Sequence, residues 1–180
     1  INLTRKDLIE ENNMYEEVEQ AVVDLTEKEN LYQFTISVDE DPMEIMNRIR
    51  YFSQACGVKY VFFEPIQDLA YSRLGDETIE KWLSSLSVQL SRMAAELNVG
   101  IVTIAHENDD GQIRDCRTIG KRASVVVKLQ RDKMSSDDED RNTTRLLVVK
   151  NRPAGTTGHA GLLAFDADSF TLKEKFERFV

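Results

Sequence analysis

Two apolar runs constrain this chain more than anything else in it. The first, Tyr60-Val61-Phe62-Phe63, runs straight into Glu64 and Pro65. The second, Val99–Ala105, runs into His106. A strand with no polar alternation predicts burial on both faces, as in a parallel sheet. Between the two lies an apolar stripe at helical spacing: Ile79, Trp82, Leu83, Leu86, Leu90, Met93 and Leu97, in a helix that starts near Asp76. Strand, helix and strand in that order are the unit of an α/β fold.

The rest of the pattern extends this reading. Residues 5–30 are helical in spacing, with Leu8, Ile9, Val18, Val22 and Leu25 among many charges. Leu31–Val38 alternates like a strand. Asp41-Pro42 opens a helix that buries Ile45, Ile49 and Phe52 and stops at Gly57. A polar loop spans Glu107–Arg114. Ser124–Gln130 and Arg145–Lys150 read as strands. The very polar Asp132–Asn142 between them reads as an exposed loop tending to disorder. Leu162–Phe165 and Phe170–Leu172 read as a closing hairpin. The expected fold is a mostly parallel central sheet flanked by helices, with an antiparallel C-terminal edge.

Charge divides the chain. The net charge of −9 argues against a polyanionic partner only if it is evenly spread. It is not. Residues 1–47 hold 13 acidic and 3 basic residues, and residues 48–180 hold 19 and 20. Within 112–152, 11 basic residues face 6 acidic ones. Residues 1–30 therefore read as an acidic helical lead-in and 31–180 as the core, with one stretch suited to a polyanion. Two cysteines are too few for a disulfide framework or a zinc site. No apolar run approaches the ~18 residues of a transmembrane helix, and the first residues are unlike a signal peptide.

Ligands of open α/β sheets sit at the carboxyl ends of the strands. Glu64 and His106 stand there. A carboxylate in that place can serve a nucleotide-bound magnesium ion, and a histidine can donate to a terminal phosphate. Arg152 follows a strand in Lys150-Asn151-Arg152-Pro153-Ala154-Gly155, where Pro153 ends the strand and Gly155 permits a tight turn. A cation on such a tip can neutralise charge on a transferred phosphoryl group. Each residue also has a plainer reading: a loop salt bridge, a structural histidine, a surface arginine. Arg114, Arg117, Arg122, Arg131, Lys133 and Arg141 can meet a phosphate backbone, with Asp137–Asp140 working against it. The phosphate-cradling string G-x-x-x-x-G-K-[ST] does not occur. The only Gly-Lys is Gly120-Lys121, with Asp115 five residues before it and Arg122 after it.

Order and spacing say more than single residues. Val61-Phe-Phe-Glu64-Pro-Ile-Gln67-Asp68 is followed by Val99-Gly-Ile-Val-Thr-Ile-Ala-His106. Next come Ile119-Gly-Lys121-Arg-Ala-Ser124 and Val149-Lys150-Asn-Arg152-Pro-Ala-Gly155-Thr-Thr-Gly158-His-Ala-Gly161. Over about residues 55–175 this series resembles the C-terminal, RecA-like helicase domain of hexameric replicative DNA helicases: the DnaB-like proteins, the phage primase–helicases and Twinkle. The phage branch is the most similar. The resemblance implies ATP, or another NTP, bound with magnesium at a subunit interface. It places Glu64 at the magnesium-associated carboxylate, where the family has Asp, with Asp68 beside it. It places Gln67 near the nucleotide, His106 at the γ-phosphate sensor, and Arg152 with Lys150 at the arginine finger offered to a neighbouring subunit. Lys121 takes the place of a Gln that links nucleotide state to the DNA loop. Arg114, Arg117, Lys121, Arg122 and Lys133 fall in segments that face single-stranded DNA. The implied partners are single-stranded DNA and copies of the chain in a ring, a hexamer, in the cytoplasm (of the host if phage-encoded) and away from membranes.

The family's phosphate loop lies upstream of the first matching strand, so the resemblance implies a partial RecA-like core whose phosphate loop would precede Ile1. The alternative is a RecA-like module that regulates by binding DNA or a partner, without hydrolysis. Either way, the purified 180-residue chain is expected to show no single-turnover ATP hydrolysis, measured as phosphate release at enzyme excess. Measurable turnover would refute this.

Overall fold

The computed structural model describes residues 14–27, 31–35, 42–63, 65–71, 78–167, 169 and 171–175. The chain divides into two compact units. One is Gln33–Ala123. The other joins Ile1–Tyr32 to Ser124–Val180.

In the first unit, helix α2 (Pro42–Ala55) precedes strand β1 (Tyr60–Phe63). The helix α1 label belongs to Tyr15–Glu27 of the other unit. A single turn of helix, α3 (Asp68–Tyr71), leads to α4 (Ile79–Leu97), strand β2 (Gly100–Thr103) and α5 (Arg117–Arg122). Thr78 caps α4, its hydroxyl accepting from the Lys81 N–H at 3.3 Å, and Asn98 closes it in the left-handed conformation. Asp76, near which the sequence starts this helix, lies outside the described residues, as do Asp41, Leu8 and Ile9.

β1 and β2 pair in parallel, Tyr60 with Gly100 through Phe63 with Thr103. The core gathers Ile45, Met46 and Ile49 of α2, Phe63, Ile66, Ala70, the α4 stripe from Trp82 to Met93, Cys116 and Ile119. Phe52, expected in this core, is only half-buried and carries the Phe34 ring 4.7 Å away. The sheet departs from expectation in one respect. Val61 and Phe63 turn inward, but Tyr60 and Phe62 on the alternate face are 68% and 72% exposed, and Val102 is exposed beside them. The described helices of this unit pack into the core on the Phe63 side, so the pleat leaves the other side chains outward. The Tyr60 ring lies over Gly100, where a Cβ would meet it at 2.7 Å.

In the second unit, α1 buries none of its side chains. Residues 31–35, which run from this unit into the first, form no strand, and Leu31 is exposed. Alternation alone cannot make a strand without a ladder partner, and none is described for this segment. Residues 36–38 lie outside the described residues. Four strands follow in antiparallel order: β3 (Val125–Gln130), β4 (Thr143–Asn151), β5 (Gly158–Asp166) and β6 (Thr171–Lys175). The closing hairpin pairs Phe165 with Leu172. The fold class is α/β, as expected, with the antiparallel set forming a separate four-stranded sheet among the described residues.

Leu83 is fully buried at the centre of the first core. Leu83→Ala is expected to lower unfolding stability by about 2–5 kcal/mol in urea titrations.

Candidate functional site

The expected site residues fall in both units. Glu64, the expected magnesium-associated carboxylate, lies outside the described residues. Asp68 opens α3 and is exposed. No group of three metal-ligating side chains occurs among the described residues.

Gln67 is fully buried, with its amide nitrogen donating to the carbonyls of His106 at 3.3 Å and Arg114 at 3.4 Å. Its amide protons are directed at the protein backbone. His106 itself is exposed, three residues past the end of β2. The polar segment after it is a tight reversal. Glu107 bridges Ile113, the Asn108 carbonyl accepts from the Gly111 N–H at 2.9 Å, and the Arg114 N–H donates to the His106 carbonyl at 2.8 Å.

The segment then enters α5, which the sequence did not announce as a helix. Cys116 and Ile119 sink into the core, while Arg117, Lys121 and Arg122 stay exposed. Ser84 holds the helix start, its hydroxyl 3.3 Å from the Cys116 sulfur and donating to the Thr118 hydroxyl at 3.0 Å. Gly120, of the only Gly-Lys pair, is helical, and the end of the Ile113 side chain sits where a Cβ would project, at 2.9 Å. That glycine serves packing. The arrangement collects Arg114, Arg117, Lys121 and Arg122 within nine residues, on α5 and the loop that leads into it, a site suited to phosphate oxygens.

In the other unit, Arg152 follows β4 directly. Its N–H donates to the Ser124 carbonyl at 2.9 Å. The Asn151 carbonyl accepts from Gly155 at 2.7 Å, and its side-chain oxygen accepts from Ala154 at 3.3 Å. Gly155 has φ +72°, which the turn requires and other residues resist. The Arg152 side chain is therefore carried, exposed, on a braced tip. Lys150 lies half-buried beside it. Partial loss of water, then the nearby Arg152 guanidinium, holds the Lys150 ammonium below its usual pKa. A bound anion would offset the repulsion between the two cations.

The loop expected to tend to disorder is instead folded. It contains a one-turn helix, α6 (Asp138–Arg141), and the Asp137 carboxylate caps it by accepting from Glu139 at 2.7 Å and Asp140 at 3.0 Å. Arg141 pairs with Asp138, Arg145 lies 3.9 Å from Asp140, and Lys175 lies 2.7 Å from Glu139. Arg131 donates to the Arg141 carbonyl and to the Asn142 side chain, and its guanidinium lies over Phe165. The acidic run thus pairs with Arg141 inside the loop and with Arg145 and Lys175 on the neighbouring strands. Arg131 and Arg141 brace it, which the sequence reading missed. The signal was present as the acidic run Asp137–Asp140 with Arg131 before it and Arg141 directly after it. Lys133 is exposed at the tip, next to Met134, which is 92% exposed.

The DnaB-like helicase C-terminal domain model matches residues 2–174. The chain belongs to this family. Among solved structures, this DnaB-like domain is similar to a DnaB-like replicative helicase studied with its interactions with primase. The TM-score is 0.60 at 19% identity, covering 74% of this chain and 34% of that one. It is also similar to the KaiC-like protein PH0186 from Pyrococcus horikoshii OT3, with TM-score 0.62 at 16% identity, covering 96% and 71%. The fold is RecA-like, as the sequence led one to expect. The chain spans about a third of the length of the helicase it matches. No curated protein matches it. Among the described residues, no helix is long and apolar enough to cross a membrane.

The cap at Asp137 gives a pH expectation. The backbone donors of Asp140 and Glu139, then Arg141 and Lys175, lower its pKa from 3.8. A lowered folded-state pKa means stability that is complete above the unfolded value and lost as pH falls through the folded one. NMR titration of the Asp137 carboxyl should therefore give a midpoint below 3.8. Amide protection at Glu139 and Asp140 should be lost at the same acidic pH. A midpoint at or above the ordinary value would contradict the cap.

Proposed function

We propose that this DnaB-like domain is part of an ATP-dependent replicative DNA helicase. It couples NTP hydrolysis between copies in a ring, a hexamer, to movement along single-stranded DNA in the cytoplasm. Family membership supports the class of activity. The observation that carries the assignment is the Arg152 tip: a cation on a braced turn, beside a half-buried lysine that gains from an anion. Such a tip suits the phosphates of a nucleotide held by a neighbouring copy. Arg152 and Lys150 would bind and orient the phosphoryl group, stabilising charge as it develops. His106 would donate to the terminal phosphate. The carboxylates of Glu64 and Asp68 would hold magnesium, which supplies charge neutralisation across the phosphates when bound. Arg114, Arg117, Lys121, Arg122 and the exposed Lys133 would contact the DNA backbone.

A second reading, a module that binds DNA or a partner without hydrolysis, draws on Gly120. The one Gly-Lys pair of these residues lies within the helix α5, not on a loop between a strand and a helix.

One experiment separates the two. In the complete protein, Arg152→Ala should abolish ATP hydrolysis, by about 10³-fold or more, while nucleotide binding measured by fluorescence stays near its original affinity. Loss of binding with unchanged hydrolysis per bound nucleotide would sink the finger assignment. An absence of ATPase activity in the unaltered complete protein would favour the binding module.

A further inference from the structure

Gln67 is the one described residue whose buried side chain keeps a polar atom without a partner, its Oε1. A hydrophobic side chain would fill the same space and orphan nothing. What the amide adds is its N–H pair, and both contacts go to one loop. The His106 carbonyl begins that loop and the Arg114 carbonyl ends it. The two contacts are long, but the same carbonyls are tied elsewhere. His106 also accepts from the Arg114 N–H, and Arg114 also accepts from the Cys116 N–H, both at 2.8 Å. Cys116 in turn begins α5 with its basic side chains. Gln67 reaches this junction from the turn after β1, where the Ile66 N–H donates to the Ile104 carbonyl at 3.0 Å. One buried amide therefore links the turn after β1 to both ends of the 106–114 loop.

We infer that Gln67 is a positioning residue, clamping the base of the 106–114 loop so that His106 and the Arg114–Arg122 cations move as one body. This rests on the helicase reading for what the two ends of the body contact. The clamp itself rests only on the geometry. Under that reading, a displacement of His106 reaches the basic segment without loss in a slack loop.

The test uses Gln67→Met, which keeps length and shape and removes both donors, in the complete protein. Gln67→Asn is the second variant. It keeps the amide one methylene short and stays informative if the methionine variant does not fold. Hydrogen exchange of amides 107–116 should quicken by about tenfold in either variant, with β1 and β2 unchanged. The stimulation of ATP hydrolysis by single-stranded DNA should fall about fivefold. KM for ATP should stay within about twofold. Unchanged exchange overturns the clamp. Faster exchange with unchanged stimulation overturns the coupling. A raised KM with unchanged stimulation makes Gln67 a nucleotide ligand and overturns the proposal. If the unaltered protein shows no DNA-stimulated hydrolysis, the helicase reading fails, and the exchange result still decides the clamp.

Discussion

The packing of α4 against α2, α5 and β2 holds up everything else in the first unit. Leu83 and Leu86, both essentially without solvent contact, belong to the same buried cluster as Phe63, Ile66 and the α2 residues Ile45, Met46 and Ile49. Each buried side chain of that size contributes roughly 1.5–3 kcal/mol by leaving water. The polar groups that follow β1 and β2 are placed by this packing. Gln67 has no freedom because Ile66 and Ala70 on either side of it are anchored in the same core. Cys116 and Ile119 draw α5 onto the core, and the same anchoring turns its basic residues outward.

The second unit achieves order by different means. Its strands are half-buried, and its loops are held by backbone and charge. The turn after β4 depends on Asn151, whose carbonyl and side-chain oxygen each accept a backbone donor, and on the positive φ of Gly155. The connection between β3 and β4 depends on carboxylates and cations that cancel one another locally. An acidic loop of this kind repels a polyanion less than its composition suggests, because the field of paired charges falls off faster than that of single ones. The net charge is therefore a poor guide to what this surface can meet.

Much of the fold was legible because hydrophobic periodicity survives any tertiary arrangement. The α4 stripe, the two apolar strands and the closing hairpin each follow from spacing alone. The residues 31–35 show the limit. Tyr32, Phe34 and their polar neighbours alternate as a strand does, yet alternation describes only one strand's faces and says nothing of a partner. The folding of residues 132–142 was hidden for a related reason. Composition counts charges, but pairing depends on where Lys175, more than thirty residues later, comes to lie. In the site, Arg152 was readable from Pro153 and Gly155 around it. The burial of Gln67 was not, since a glutamine between a strand and a helix reads as a surface residue until its neighbours are placed.

By itself the sequence determined the order of the longer elements, the family, and that Arg152 stands on a turn, since these follow from local spacing, proline and glycine. The tertiary structure alone decided three things: that the apolar run of β1 is covered on one face, that the acidic loop is met by Arg145 and Lys175 of the neighbouring strands, and that Gln67 meets two carbonyls 39 and 47 residues away. Each depends on contacts between residues distant in the chain. No periodicity records such contacts, because they exist only once the core has fixed where the strand ends lie.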